Sequence, residues 1–145
     1  MIRLAVRGIV MRDNRLLLVN AYGDGRFGLM CCPGGGVEKH ASLPDNLIRE
    51  IHEETGIAVA VERPVLVNEF HEPEAGFHQV EVFFRCRILA MPKGTDWHDP
   101  ERVVTERRWV TREEFRDCRV RPSSLEEVVW GDGGPGYDTL ELIVR

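Results

Sequence analysis

Glu50, Glu53 and Glu54 stand at i, i+3 and i+4 in the run Arg49-Glu50-Ile51-His52-Glu53-Glu54-Thr55-Gly56-Ile57, a short way downstream of a run of glycines. In a helix this spacing puts three carboxylates on one side, where they repel one another unless positive charge lies between them. One reading of such a cluster is a solvated acidic face. The other is a site for a hard divalent cation such as Mg²⁺, which takes oxygen ligands and shares them between one or two carboxylates and a substrate phosphate.

The flanking residues favour the second reading. Pro33-Gly34-Gly35-Gly36-Val37-Glu38 is a segment in which glycine allows close approach of the backbone to a ligand. Ser42 then offers an N-cap with Asp45 three residues on, and Leu43, Leu47, Ile48 and Ile51 supply an apolar stripe. Gly56 ends the helix as a left-handed C-terminal residue. At about 100° per residue the carboxylates flank the apolar stripe, which puts them at the rim of the buried face.

Taken from Gly35 to Ile57, the spacing of glycine, Arg49-Glu50, an apolar residue, Glu53-Glu54, Gly56 and a final apolar residue resembles the Nudix box, the signature of the Nudix hydrolases. One defining position departs: Ala41 stands where the family has a glutamate, and Lys39-His40 replaces the usual proline-glycine before it. Residues 3–11, 16–20 and 106–110 are similar to the family's flanking strands. The resemblance implies an α/β/α sandwich around a mixed β-sheet, and it implies Mg²⁺ or Mn²⁺ as cofactor. It also implies hydrolysis of a pyrophosphate bond in a nucleoside diphosphate linked to another moiety. The missing glutamate predicts weaker metal affinity or an altered number of ions, with Glu38 or His40 as partial substitutes.

Composition narrows the setting. A chain of 145 residues is sized for one domain spanning 1–145, large enough to bury a core without staples. No apolar run of roughly 18 residues and no leader pattern is present, which excludes membrane spanning by helices and points to a cytoplasmic protein. Cys31, Cys32, Cys86 and Cys118 show neither metal-ligand nor disulfide spacing. A net charge of −5 argues against broad nucleic-acid binding, which needs a basic surface, yet a small polyphosphate remains accessible through metal ions.

Along the chain, residues 2–11 and 16–19 form a hairpin turned at Asp13-Asn14. Residues 22–28 read as a polar loop and 29–32 as a short strand. Residues 58–70 and 80–89 read as strands joined by a loop over 71–79, and 92–100 as a second long loop. A strand over 103–110 leads into a helix beginning at Thr111, a further helix covers 123–130, and the tail after Tyr137 has no clear assignment.

Roles follow the resemblance. Glu53 and Glu54 are the first metal ligands, with Glu50 as a further ligand or as the group that takes the proton from attacking water, and with the backbone carbonyl of Gly34 added by similarity to the family. Arg49 is expected to orient a catalytic carboxylate through a bidentate pair. Glu101 or Glu106 is a candidate for one more distant ligand, with Asp96 and Asp99 behind them. Substrate contacts are assigned to Arg26, Phe27, Gly35 and Phe77, with Trp97 as another stacking candidate. His71 and His78 are read as surface residues, and Arg107 and Arg108 as pointing to opposite faces of one strand. Two function classes stand: a pyrophosphohydrolase acting on a small nucleotide derivative, with a homodimer implied by family precedent, and a nucleotide-binding domain without turnover. The sequence does not select the nucleotide.

Overall fold

The alternation of apolar residues in the first hairpin builds both faces of the molecule. The computed structural model describes residues 1–94 and 97–145, so Asp96 lies outside the described residues. Strands β1 (Arg3–Arg12) and β2 (Arg15–Asn20) pair antiparallel across Asp13-Asn14, both left-handed, as the two-residue turn demands. Successive strand side chains point to opposite faces. Leu16 and Leu18 therefore enter one core, with Ile9, Leu66 and Phe83, while Leu17 enters the other, with Val6, Val10 and Phe84.

The sheet is mixed. β3 (Leu29–Cys31) pairs with β2, and β4 (Gly34–Gly36) pairs with β1. The long hairpin of β5 (Ala58–Glu72) and β6 (Phe77–Ala90) joins through a parallel pairing of β6 with β1. β7 (Arg107–Val110) adds to β2, β8 (Arg119–Val120) to β3, and β9 (Glu141–Leu142) to β5. β1 pairs with β2 only around Met11 and Arg12, and over Ala5, Val6 and Arg7 it pairs with β4 instead. The sheet splits at that point, and the split positions the site.

Helix α1 (Leu43–Thr55) covers the Val6–Val10 face, and α2 (Arg112–Asp117) with α3 (Leu125–Trp130) covers the other, giving the expected α/β/α sandwich. Ser42 Oγ accepts from the Asp45 N–H at 3.0 Å, Pro44 sits in the first turn, and Gly56 ends α1 at φ 76° with its N–H donated to the His52 carbonyl. Leu47 and Ile51 are fully buried, but Ile48, expected in the apolar stripe, is exposed.

Two other expectations change. The loop over 71–79 shrinks to a short turn at Pro73–Ala75, because His71 pairs with His78 and Glu72 with Phe77 in the strand ladder. The tail contributes β9, a strand too short to leave a periodic signal. All four cysteines are free. Among the described residues no helix is long and apolar enough to cross a membrane.

α1 lies so close to β1 that a Cβ on Gly8 would stand 2.6 Å from Ile51 Cδ1. Gly8→Ala is therefore expected to destabilise the fold by about 1–3 kcal/mol through overpacking. Ile51→Val in the same chain should recover part of that loss, read as non-additivity in a chemical-denaturation double-mutant cycle.

Candidate active site

An acidic cleft of about 340 Å³ opens where β1 leaves β2, walled by β4, by the carboxylate edge of α1 and by the segment around Asp99 and Glu101. Glycine is required in its floor. A Cβ on Gly34 (φ 151°) would stand 1.9 Å from the Val6 carbonyl oxygen, and one on Gly35 would stand 2.7 Å from the Glu50 carboxyl. β4 thus lies against β1 and presents bare backbone to α1.

Glu50, Glu53 and Glu54 all line the cleft. Glu54 is buried and accepts from the Gly34 N–H at 3.3 Å. Burial pushes its carboxyl up to about 8, against the opposing pull of Arg7 and of that N–H. Burial also raises Glu50, partly offset by Arg49 and reinforced by Glu53. Arg49 does not form the expected bidentate clamp: it meets Glu38 at 2.8 Å, Asn46 Oδ1 at 3.0 Å and Glu50 through one nitrogen at 3.3 Å. Ala41 is exposed and outside the cleft lining.

The distant candidates separate. Glu101 lines the cleft, whereas Glu106 points away and pairs with Arg108 at 2.6 Å. Asp99, the further candidate behind them, also lines the cleft but is buried, its carboxylate accepting from the backbone N–H groups of Glu101, Val103 and Val104, and so shapes the wall that carries Glu101. Arg107 turns inward and donates to the Glu54 carbonyl at 2.6 Å, opposite in direction to Arg108. Trp97 packs over Gly56 and donates to the Glu53 carbonyl at 2.9 Å, so it seals the helix end. His78 pairs with Glu69 at 2.8 Å, away from the cleft.

A second cavity, about 220 Å³, adjoins the first and shares Arg3, Arg7, Ala21 and Cys31 with it. Phe77 lines this chamber, from a strand rather than a loop, 6.0 Å from Phe70. Arg26 and Phe27 line neither cavity; the guanidinium of Arg26 lies over the Phe27 ring, and Phe27 packs edge-on to Tyr22. Burial holds the Cys31 thiol up at about 11, so it is no nucleophile at neutral pH.

Sequence reasoning missed Arg3 and Arg7, which carry positive charge to the junction of the two cavities. Arg7 pairs with Glu81 at 2.6 Å and reaches the carbonyls of Cys32 and Gly34 at 3.3 Å. Arg3 donates to Gln79 and lies over Gly36. The signal was present as Arg3 and Arg7 on one face of β1 and Gln79 and Glu81 at alternate positions of β6, a pattern that reads equally as a solvated strand face.

The donors fit a hard divalent cation. They are oxygen atoms, and Glu54 carries a desolvated carboxyl with a single 3.3 Å hydrogen bond. Among the described residues no three acidic, histidine or cysteine side chains form a complete cage. Such an ion does not require one, since Mg²⁺ keeps waters and takes ligands from substrate phosphates.

A sequence model of the NUDIX domain matches residues 1–128. The chain belongs to the NUDIX domain family. It is 34% identical over 86 residues to the Bacillus subtilis (strain 168) protein YjhB, covering 57% of this chain and 40% of that one. It is 31% identical over 85 residues to an ADP-ribose pyrophosphatase of Methanocaldococcus jannaschii, covering 59% and 50%. The aligned part thus spans half or less of these relatives' own length. A solved NUDIX hydrolase structure from Nitrosomonas europaea superposes with a TM-score of 0.68 at 23% identity, covering 97% of this chain and 78% of that one. That likeness establishes the Nudix fold.

A carboxyl raised in the folded state favours the neutral form, so metal-free stability falls as pH climbs from about 4.5 to 8, where the unfolded chain is ionised and the native Glu54 is not. Melting temperatures of the metal-free protein across pH 5–9 should fall more steeply for the wild type than for Glu54→Gln. Added Mg²⁺ should stabilise the wild type more at pH 8.5 than at pH 6, since ligation requires the ionised carboxylate.

Proposed function

We propose that this protein hydrolyses a pyrophosphate bond in a nucleoside diphosphate linked to another moiety, with Mg²⁺ or Mn²⁺ as cofactor. The observation that carries the reading is the adjacency of the two cavities: an acidic cleft on the Nudix helix and an aromatic chamber share Arg3 and Arg7 in their walls. The chamber is smaller than the roughly 300–1,000 Å³ of pockets that enclose a whole drug-sized ligand. It therefore suits one end of an extended substrate. The diphosphate then lies near the two arginines, with its scissile bridge toward α1. The named activity of the Methanocaldococcus relative makes ADP-ribose the first substrate to try.

Glu53 and Glu54 would hold the ion, joined by the Gly34 carbonyl, with Glu101 facing them from the opposite wall. When bound, the ion neutralises phosphate oxygens and lowers the pKa of water that attacks phosphorus. Glu50 is the other cleft carboxylate whose proton affinity is raised, which suits it to take the proton from that water. Arg49 holds Glu50 by one hydrogen bond and leaves its other oxygen free for that task. Attack forms one phosphorus–oxygen bond from water and breaks the bridging one, so ADP-ribose would give AMP and ribose 5-phosphate. The alternative of a binding domain without turnover rests on Ala41, whose exposed position outside the cleft argues against a ligand role there.

A panel of pyrophosphate-containing nucleotides, incubated with Mg²⁺ or Mn²⁺ and resolved by mass, should show two phosphorylated products from at least one member. Glu53→Gln and Glu54→Gln should each lower kcat by about 100-fold or more, the scale of removing a principal charge-stabilising group. Metal-dependent nucleotide binding with no product across the panel would establish the binding-domain alternative.

A further inference from the structure

The far wall of the acidic cleft is held by two buried side chains instead of by regular secondary structure. Residues 101–106 belong to no helix or strand, yet they carry Glu101, an exposed side chain that lines the cleft with Glu50, Glu53 and Glu54. A segment of this kind wanders unless its backbone groups are tied down, and ordering it at the moment of binding costs conformational entropy. Asp99 ties part of it, accepting from the N–H groups of Glu101 at 3.0 Å, Val103 at 3.2 Å and Val104 at 2.9 Å. These bonds reach no more than five residues along the chain, so they shape the segment without fixing it to the rest of the fold.

Asn20, the last residue of β2, supplies the attachment. Its Oδ1 accepts from the Thr105 N–H at 2.9 Å and the Glu106 N–H at 3.0 Å, and its Nδ2 donates to the carbonyls of Val103 at 2.9 Å and Tyr22 at 2.8 Å. Two accepted and two donated bonds are the full capacity of an amide side chain, so Asn20 lines the cleft with nothing left to offer an ion or a phosphate. Aspartate here would set an acceptor against the Val103 and Tyr22 carbonyls, and an apolar residue would take away the partner of two N–H groups and two carbonyls. Burial raises the Glu50 carboxyl, and Glu53 and then Glu101 add to the rise, so the charge of Glu101 lies within electrostatic reach of the helix edge.

We propose that Asn20 is a positioning residue for the metal-dependent reaction: by holding residues 103–106 on the end of β2 it keeps Glu101 facing the acidic edge of α1. This deepens the proposed pyrophosphate hydrolysis and rests on it for the place of the ion. Asn20 itself touches neither ion nor phosphate, and its effect passes through Glu101. A ligand already held in place loses less freedom on binding, and groups that orient ligands from behind change metal affinity or activity on the scale of about 10–100-fold.

Titration with Mn²⁺, followed by the electron paramagnetic resonance of the free ion, tests the inference without substrate or turnover. Asn20→Ala, which leaves the charge of the cleft unchanged, should weaken Mn²⁺ binding about tenfold or more, and Glu101→Gln should weaken it at least as much. The double variant should bind Mn²⁺ within about twofold of Glu101→Gln alone, because Asn20 then has no ligand left to position. Losses that multiply in the double variant, as a general loosening of the fold would give, overturn the role of Asn20. So does an unchanged affinity in folded Asn20→Ala or in Glu101→Gln, or a wild type that binds no Mn²⁺ at millimolar concentration. Asn20→Ser, which keeps an acceptor on a shorter side chain, replaces Asn20→Ala in the cycle if that variant does not fold. Should neither fold, amide hydrogen exchange on the wild type decides: protected Thr105 and Glu106 N–H groups support the role, and exchange at free-peptide rates overturns it. The two readings fail separately: the expected Mn²⁺ cycle without pyrophosphate hydrolysis removes the proposed reaction and keeps Asn20, and hydrolysis with Mn²⁺ affinity unchanged in Asn20→Ala does the reverse.

Discussion

Everything at the site depends on how closely a glycine strand can approach a helix. Gly34 and Gly35 in β4 lie between β1 and α1 with no room for a side chain on either, against the Val6 carbonyl and the Glu50 carboxyl respectively. A larger residue would lift β4 from β1 or push α1 outward, and the cleft would lose its floor. The same approach brings the Gly34 N–H to Glu54 and the Gly34 carbonyl to Arg7. Backbone dipoles, acidic side chains and a buried arginine meet there because a segment without Cβ atoms separates them.

The carboxylates sit in that cleft at an electrostatic disadvantage. Burial favours the neutral forms of Glu50 and Glu54, and repulsion within α1 adds to it for Glu50. Arg7 offsets part of this but is itself committed to Glu81. The surrounding fold has to hold α1 in place regardless, and it does so with Leu47 and Ile51 packed on Val6 and Val10, with Arg107 on the Glu54 carbonyl, and with Trp97 over Gly56. The helix is anchored along its apolar stripe and at its C-terminal end, which leaves its acidic edge facing the cleft.

Much of α1 was legible because local signals agree there. Ser42, Gly56, the apolar spacing and the glycines upstream each act within a few residues, and the structure keeps those bounds. Strand pairing was less legible. The polar stretch over 71–79 reads as a loop until His71 is seen opposite His78, and Phe77 moves from loop to strand for the same reason. Arg49 was expected to clamp Glu50, but Glu38 and Asn46 compete for the same guanidinium. Glu101 and Glu106 are equivalent as letters, and the buried Asp99 carboxylate holds the segment from which Glu101 faces the cleft.

The sequence by itself determined the Nudix helix, its acidic edge and the glycine run that serves it, since each depends on spacing along one segment. Tertiary structure alone decided that Arg3 and Arg7 of β1, Asn68 of β5 and Gln79 and Glu81 of β6 share one face beside that helix. They are distant in the chain, and each is an ordinary polar residue of a strand. Parallel pairing of β6 with β1 and antiparallel pairing with β5 set their register, and burial of Val6, Val10 and Phe84 under α1 on the opposite face fixed which way they point.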